Sequence, residues 1–432
     1  MKLDQLHLHN FRCFGDLDVT FHDKLTVVVG ANGAGKTAII EAAAIAIGTF
    51  LYSLKGVSNY GIKKMDAHNK YFKMGSSIDV QPQYPVEISA RGRVADTSIK
   101  WMRALHSETG KTTVIDAKAM TGISTEYQKK MMEGDKSLVL PMIAYYGTGR
   151  LWDYHREKKR DIFKKNNRAN GYIDCLDGTS NIKLMLNWFK KMAWKDGQSS
   201  HKSLEYIAVR KAMEQCFSLM TGINRVKVQF NPETGEIDIL YYDINQRAVR
   251  LSLNQLSDGY KGMLSLIADI AYRMAVLNPW LLDKVLTETD GIVFIDEVDL
   301  HLHPAWQQRV IHDLVTIFPR VQFIVTTHAP AVINSVKSDN LIILKNTKVF
   351  QPGSQVYGKD VKSVLSEIME VTERPPEVSR LFDRFYEQLT KRNFEDADKI
   401  LNQIDEVRDY HDPEVAACRV KLKLERIRGG QI

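Results

Sequence analysis

The 432 residues hold little that would tie the chain to a membrane or to an oxidising compartment. Four cysteines (Cys13, Cys175, Cys216 and Cys418) lie far apart with no Cys-x-x-Cys pair, which excludes the usual zinc and dithiol frameworks. Reduced, mostly buried thiols in a cytoplasmic protein are the expectation. The opening Met1-Lys2-Leu3-Asp4-Gln5 has no apolar core, so no secretory signal is read there. The most apolar stretch, Ala38 to Tyr52, is interrupted by Glu41 and is too short to span a bilayer. Low-complexity tracts and long heptad runs are missing as well.

What is there is an ordinary globular composition, 44% hydrophobic and 26% charged, enough for a large core in roughly two or three domains. Lys and Arg number 59 against 52 Asp and Glu, a formal charge of +7 that permits nucleic-acid binding without requiring it.

Short buried-strand runs at Leu25–Val29, Val139–Tyr146, Gly291–Ile295 and Val321–Thr326 alternate with helical patterns at Ala38–Tyr52, Gly259–Leu277 and Ala305–Ile317. Strands alternating with helices predict an α/β fold, a mixed and mostly parallel sheet with helices on both faces. Val86 to Ala117 alternates, and Ser107-Glu108-Thr109-Gly110 reads as the turn of a hairpin or meander. The division expected is 1–150 and 223–350 as two parts of one head, 151–222 as a helical insertion and 351–432 as a helical C-terminal extension.

Gly30-Ala31-Asn32-Gly33-Ala34-Gly35-Lys36-Thr37 fits GxxxxGK[ST] directly after a buried strand and ahead of a helix, the context a phosphate-binding loop needs. Glycines let backbone N–H groups of Asn32, Gly33, Ala34 and Gly35 wrap phosphate oxygens, and the helix start adds a favourable dipole. Lys36 can reach the β- and γ-phosphates of ATP, and the Thr37 hydroxyl suits Mg2+. Ile292-Val293-Phe294-Ile295-Asp296-Glu297 puts two carboxylates at the carboxyl edge of the sheet. There Asp296 would hold the metal shell and Glu297 would polarise the attacking water. Alone, an apolar run ending in Asp-Glu is common; with the loop it becomes informative.

Leu256-Ser257-Asp258-Gly259-Tyr260 stands before a helix and is similar to the ABC signature LSGGQ, with Asp and Tyr substituted. Asp299 lies at D-loop distance, and His328 follows the strand at the H-switch position. With Leu8-His9-Asn10-Phe11-Arg12-Cys13-Phe14 at the start and Thr326-Thr327-His328-Ala329-Pro330 near residue 330, the chain resembles ABC-type ATPase heads of the RecF/SMC/OLD group over most of residues 1–348. That resemblance implies two heads paired head to tail around two ATP. One supplies Lys36, Thr37, Asp296, Glu297 and His328, and the other Ser257; Arg12, Gly259 and Asp299 are nucleotide-site residues by the same analogy. A departure is the missing Q-loop glutamine in Leu140–Arg150, where Arg150 or Thr148 is expected to line the site instead.

The segments Tyr145–Trp152 and Gly171–Asp177 and the helical tail are similar to Septu anti-phage ATPases, which work beside an HNH nuclease subunit, sometimes with a retron. The resemblance implies an even homo-oligomer, a separate nuclease partner and no membrane. A RecF-like repair ATPase binding DNA directly is the alternative. The basic cluster Arg156, Lys158, Lys159, Arg160, Lys164, Lys165 and Arg168 is the best DNA candidate in the sequence. Asp396-Ala397-Asp398 matches the D-x-D of a nuclease formally but falls in a predicted helix, so nuclease chemistry is not expected in this chain.

Overall fold

A computed structural model describes the chain except for residues 59, 76, 96, 152–166, 179–181, 199–202, 244, 372–373, 408–412 and 429–432. It resolves into two compact units, Met1–Lys359 and Asp360–Ile432.

Among the described residues, unit one has fifteen strands, in chain order β1 Lys2–Phe11, β2 Phe14–Thr20, β3 Leu25–Gly30, β4 Asn69–Met74, β5 Ser77–Pro82, β6 Val86–Val94, β7 Thr97–Leu105, β8 Met142–Tyr146, β9 Val226–Phe230, β10 Ile237–Tyr242, β11 Ala248–Ser252, β12 Gly291–Ile295, β13 Val321–Thr327, β14 Leu341–Lys345 and β15 Lys348–Phe350. The principal sheet has the order β15-β14-β3-β13-β12-β8, parallel throughout except for the terminal β14–β15 hairpin. Strands β8, β12 and β13 are buried at every position, as expected where both faces of a parallel sheet are covered.

A second sheet, β2-β1-β6-β7, is antiparallel, and its β1 and β6 alternate buried and partly exposed residues. The helix Lys36–Ile47 lies between the two sheets, against β3, β12 and β13 on one side and β1, β6 and β7 on the other. That placement explains a sequence apolar almost all round, since such a helix has no face for water. The helix Asp258–Leu277 covers β8 and packs on the helix Leu204–Thr221.

Two local expectations change, and one element appears that the sequence pattern did not announce. The hairpin turn of the second sheet falls between Val94 and Thr97, while Ser107–Gly110 is a real turn that leads out of the sheet toward the helix Lys118–Met132. The helix expected over Ala305–Ile317 is two pieces, Pro304–Gln307 and Val310–Ile317. Strands β4 and β5 form an exposed two-stranded ribbon whose Tyr71, Met74 and Ile78 face solvent.

Unit two carries the helices Pro376–Thr390, Phe394–Val407 and Pro413–Arg428, joined by a core that includes Phe382, Phe385, Ile404 and Leu422. Asp396 and Asp398 sit near the start of the helix Phe394–Val407 as surface charges, Asp396 pairing with Lys399 and Asp398 with Arg426. Among the described residues, no helix is long and apolar enough to cross a membrane.

Candidate functional site

The carboxyl ends of β3, β13, β12 and β8 are neighbours in register, Val29 beside Thr327, Val325 beside Ile295, and Ile295 beside Tyr146. Side chains just past these ends converge on one edge of the sheet, where α/β folds bind ligands.

After β3 the loop turns through Gly33 at φ 78° and Gly35 at φ 106°, and the Ala34 N–H donates to Ala31 O at 3.2 Å. Gly35 is required twice over. Its φ lies in the left-handed region, and a Cβ there would stand 2.5 Å from the Phe14 ring and 2.6 Å from Cys13 Sγ. Asn32 and Gly33 are exposed at the tip. Lys36 is buried and curls back, its Nζ donating to Gly30 O at 2.9 Å and Ala31 O at 3.0 Å. Burial lowers its pKa, opposed by Asp296, Glu297 and Asp299 close by.

Thr37 Oγ1 donates to Asp296 Oδ2 at 2.8 Å, joining the loop to the end of β12. Asp296 is buried, and its other oxygen accepts from Thr326 Oγ1 at 2.5 Å. A hydroxyl and a buried carboxylate oxygen side by side are the hard-oxygen donors that Mg2+ takes, so the residues fit that ion. Glu297 follows with φ +47°, and its N–H donates to Thr326 Oγ1 at 2.8 Å. Asp299 accepts from Thr327 Oγ1 at 2.5 Å. His328 is half-buried, and its pKa is lowered from the usual value by burial first and by Lys36 second, against Glu297, Asp299 and Asp296. Loop, carboxylate pair, Asp299 and histidine thus form one constellation.

Arg150 takes a different place from the one expected. It is buried, donating from Nη1 to Gly147 O at 3.1 Å and Asp296 O at 2.7 Å and from Nη2 to Glu297 O at 2.8 Å. It therefore supports the carboxylate turn from beneath, and Thr148 is the exposed member of the segment. Burial pushes its pKa down to about 10 despite Asp296, Asp299 and Glu297. Arg12 lies beside the loop through its neighbours Cys13 and Phe14, but its guanidinium is ion-paired to Glu41 and Asp66. Contact with nucleotide requires it to share or leave one of these carboxylates. Sequence reasoning missed Thr326, Thr327, Glu41 and Asp66; the signal for Glu41 was available, a lone charge in an apolar helix.

Ser257 stands apart. It precedes the helix Asp258–Leu277 and lines an open depression with Gly259, His301, His303 and Trp306, none of them from the phosphate loop. A Cβ on Gly259 would come 2.7 Å from His301 O, so this glycine lets the helix start meet the segment after Asp299. Tyr260, at a substituted signature position, stacks edge-on to Trp306 with centroids 4.1 Å apart.

Of the basic cluster, residues 156–165 lie outside the described residues. Arg168 is a structural side chain, bonded to Leu277 O at 2.7 Å and Leu138 O at 2.6 Å and stacked 3.7 Å over Trp280.

Two family models match the chain, one described as an AAA domain over residues 5–216 and one as an AAA domain, putative AbiEii toxin, Type IV TA system, over residues 146–334. The Retron Vc95 probable ATPase of Vibrio cholerae serotype O1 biovar El Tor is 26% identical over 92% of this chain and 85% of its own length. The Retron Ec83 probable ATPase of Escherichia coli is 27% identical over 87% and 78%. Septu protein PtuA of Bacillus mycoides is 34% identical over 31% of this chain and 19% of its own. With a phosphate loop after β3, a carboxylate pair after β12 and these similarities, the chain is an ATPase with an α/β head, similar to the retron and Septu PtuA ATPases.

Proposed function

We propose that two copies pair head to tail around two ATP molecules and that the pairing governs a separate HNH-type nuclease in Septu-like anti-phage defence. The observation that carries the pairing is that two anion-binding elements have separate linings. Ser257 shares its depression with His301 and His303, whereas the phosphate loop meets Asp296 and Thr37 elsewhere on the head. An exposed helix start that does not serve its own chain's phosphates suits nucleotide held by a second copy. The PtuA likeness supports the nuclease output.

Within one head, the loop N–H groups and Lys36 hold the phosphates, with Lys36 exchanging its carbonyl partners for phosphate oxygens. Thr37 and Asp296 would hold Mg2+, which when bound neutralises phosphate charge. Glu297 accepts a proton from the attacking water as the bond from the γ-phosphorus to the ADP oxygen breaks. His328, neutral at neutral pH, donates a hydrogen bond toward the γ-phosphate. Hydrolysis then releases the pair.

Sedimentation velocity tests the pairing. Glu297→Gln with ATP and Mg2+ should sediment as a pair, and the further change Ser257→Arg should return it to single heads. A Glu297→Gln protein that stays single in saturating ATP would refute it. For the output, Lys36→Ala should abolish control over an HNH protein encoded beside this one; cutting that is indifferent to Lys36→Ala would remove the gating role.

A further inference from the structure

We infer that Arg150 and Thr326 are positioning residues for Glu297, clamping its backbone from both sides so that its carboxylate is delivered to the phosphate site. The inference rests on the reading of Glu297 as proton acceptor and adds what makes that residue competent.

Glu297 has φ +47°, a region that residues other than glycine seldom occupy and that persists only where surroundings over-determine it. Its surroundings do so. The Glu297 N–H is taken by Thr326 Oγ1 at 2.8 Å, and the Glu297 carbonyl by Arg150 Nη2 at 2.8 Å. The preceding residue is held in the same way, Asp296 N–H by Tyr146 O at 2.8 Å and Asp296 carbonyl by Arg150 Nη1 at 2.7 Å. Thr326 has one proton, and it goes to Asp296 Oδ1 at 2.5 Å. Its lone pairs are therefore free to accept from Glu297, so one hydroxyl fixes the metal-side carboxylate and the next peptide together.

Arg150 is suited to its side of the clamp because a guanidinium is a rigid fork that meets several acceptors at once. Its three carbonyl partners come from the ends of two neighbouring strands, β8 and β12. A lysine ammonium is a point donor and cannot span them in one geometry. The arginine adds a second donor to Glu297 O, which also accepts from the Leu300 N–H at 3.0 Å, and to Gly147 O, which also accepts from the Arg150 N–H at 3.3 Å, so it braces the turn.

A left-handed glutamate released from either grip relaxes toward the ordinary extended backbone, and its carboxylate swings with it. Nucleotide affinity rests on the loop, which neither residue touches. The effect therefore falls on kcat and spares KM and nucleotide Kd.

The test uses the full chain with Arg150→Lys, Thr326→Val and Thr326→Ser, each also in a Glu297→Gln background. Fluorescent-nucleotide binding and steady-state ATP turnover are measured. Thr326→Val, near-isosteric, and Arg150→Lys should each lower kcat at least about tenfold, the rate cost of roughly one lost transition-state hydrogen bond. Nucleotide Kd should stay within about threefold, and Thr326→Ser, which restores the hydroxyl, should keep most of the parental kcat. In the Glu297→Gln background each change should cost clearly less than in the parental chain, the remainder being what Thr326 and Arg150 contribute through Asp296. Parental kcat in Thr326→Val, or an equal drop with and without Glu297, overturns the inference. Parental turnover in Glu297→Gln alone instead defeats the reading of Glu297, so the two failures are distinguishable. If Arg150→Lys does not fold, the threonine pair decides alone.

Discussion

Replacing Arg273 by Met should destabilise the head by about 4 kcal/mol, because it strands a buried carboxylate. Arg273 and Asp269 are a turn apart on the helix Asp258–Leu277, 2% and 0% exposed, with Nε to Oδ2 at 2.8 Å. Tyr146 also donates to that oxygen at 2.7 Å, and the arginine's Nη1 serves Gly171 O at 3.0 Å and Ile173 O at 2.9 Å. Burial opposes the charge on Arg273, yet Asp269 outweighs it and the pKa is raised, so the arginine stays protonated. Losing one partner of a buried pair costs about 3–5 kcal/mol, and the two carbonyls left without a donor keep the effect off the lower end of that range. Asp269 Oδ1 already lacks a hydrogen-bond partner, so the carboxylate has no second anchor on that oxygen.

Tryptophan fluorescence in urea reads this cleanly, since all six tryptophans lie before residue 360 and report on the head alone. With a slope of about 3 kcal/mol/M, the midpoint should fall by about 1.3 M. The double change Asp269→Leu with Arg273→Met removes both charges and should recover at least half of the loss. A midpoint for Arg273→Met within about 0.3 M of the parent, or a double variant no better than the single, would refute the reasoning.

Gly35→Ala should reduce nucleotide binding by at least about tenfold in equilibrium fluorescence titration, since a Cβ must displace Phe14 or Cys13 at a strained φ; unchanged affinity would show the loop to be softer than its contacts imply. Thr37→Val should raise the Mg2+ concentration needed for half-maximal turnover, measured at fixed ATP, because Asp296 loses its hydroxyl companion; an unchanged Mg2+ requirement would take Thr37 out of the metal shell. For His328, a pKa below the usual 6.5 keeps the imidazole neutral at neutral pH, and protonation sets in only on the acid side of that value. The kcat profile should carry an acid limb below about pH 6.5 that His328→Gln removes; a limb that persists belongs to another group.

Much of the site was legible because phosphate chemistry constrains sequence locally. The loop, the carboxylate pair after β12 and the histidine after β13 each follow a strand so apolar that a buried parallel position suits it, and β3, β12 and β13 fall where the pattern puts them. Thr326 and Arg150 carry no such mark, since a hydroxyl in a strand and an arginine in a loop are ordinary until the strands align. The Ser107–Gly110 turn signal was sound chemistry in the wrong role, because a turn does not say which strands it joins. Ribbon β4–β5 escaped notice since its alternation encloses no core. The helix Lys118–Met132 went unread because only Met120, Ser124 and Tyr127 of it are buried.

The strand order also sets a timetable for synthesis. Strand β3, which carries the phosphate loop, is flanked by β13 and β14, and Leu3 exchanges both backbone bonds with the side chain of Gln322. Its neighbours leave the ribosome roughly 300 residues after it, an interval on the order of 15–60 s at ordinary translation rates. Through that interval β3 has two unpaired edges and the helix Lys36–Ile47 has one of its two covering sheets. The nascent chain cannot bring Lys36, Asp296 and His328 together until residue 328 or so has emerged, so a product truncated earlier lacks part of the candidate nucleotide site.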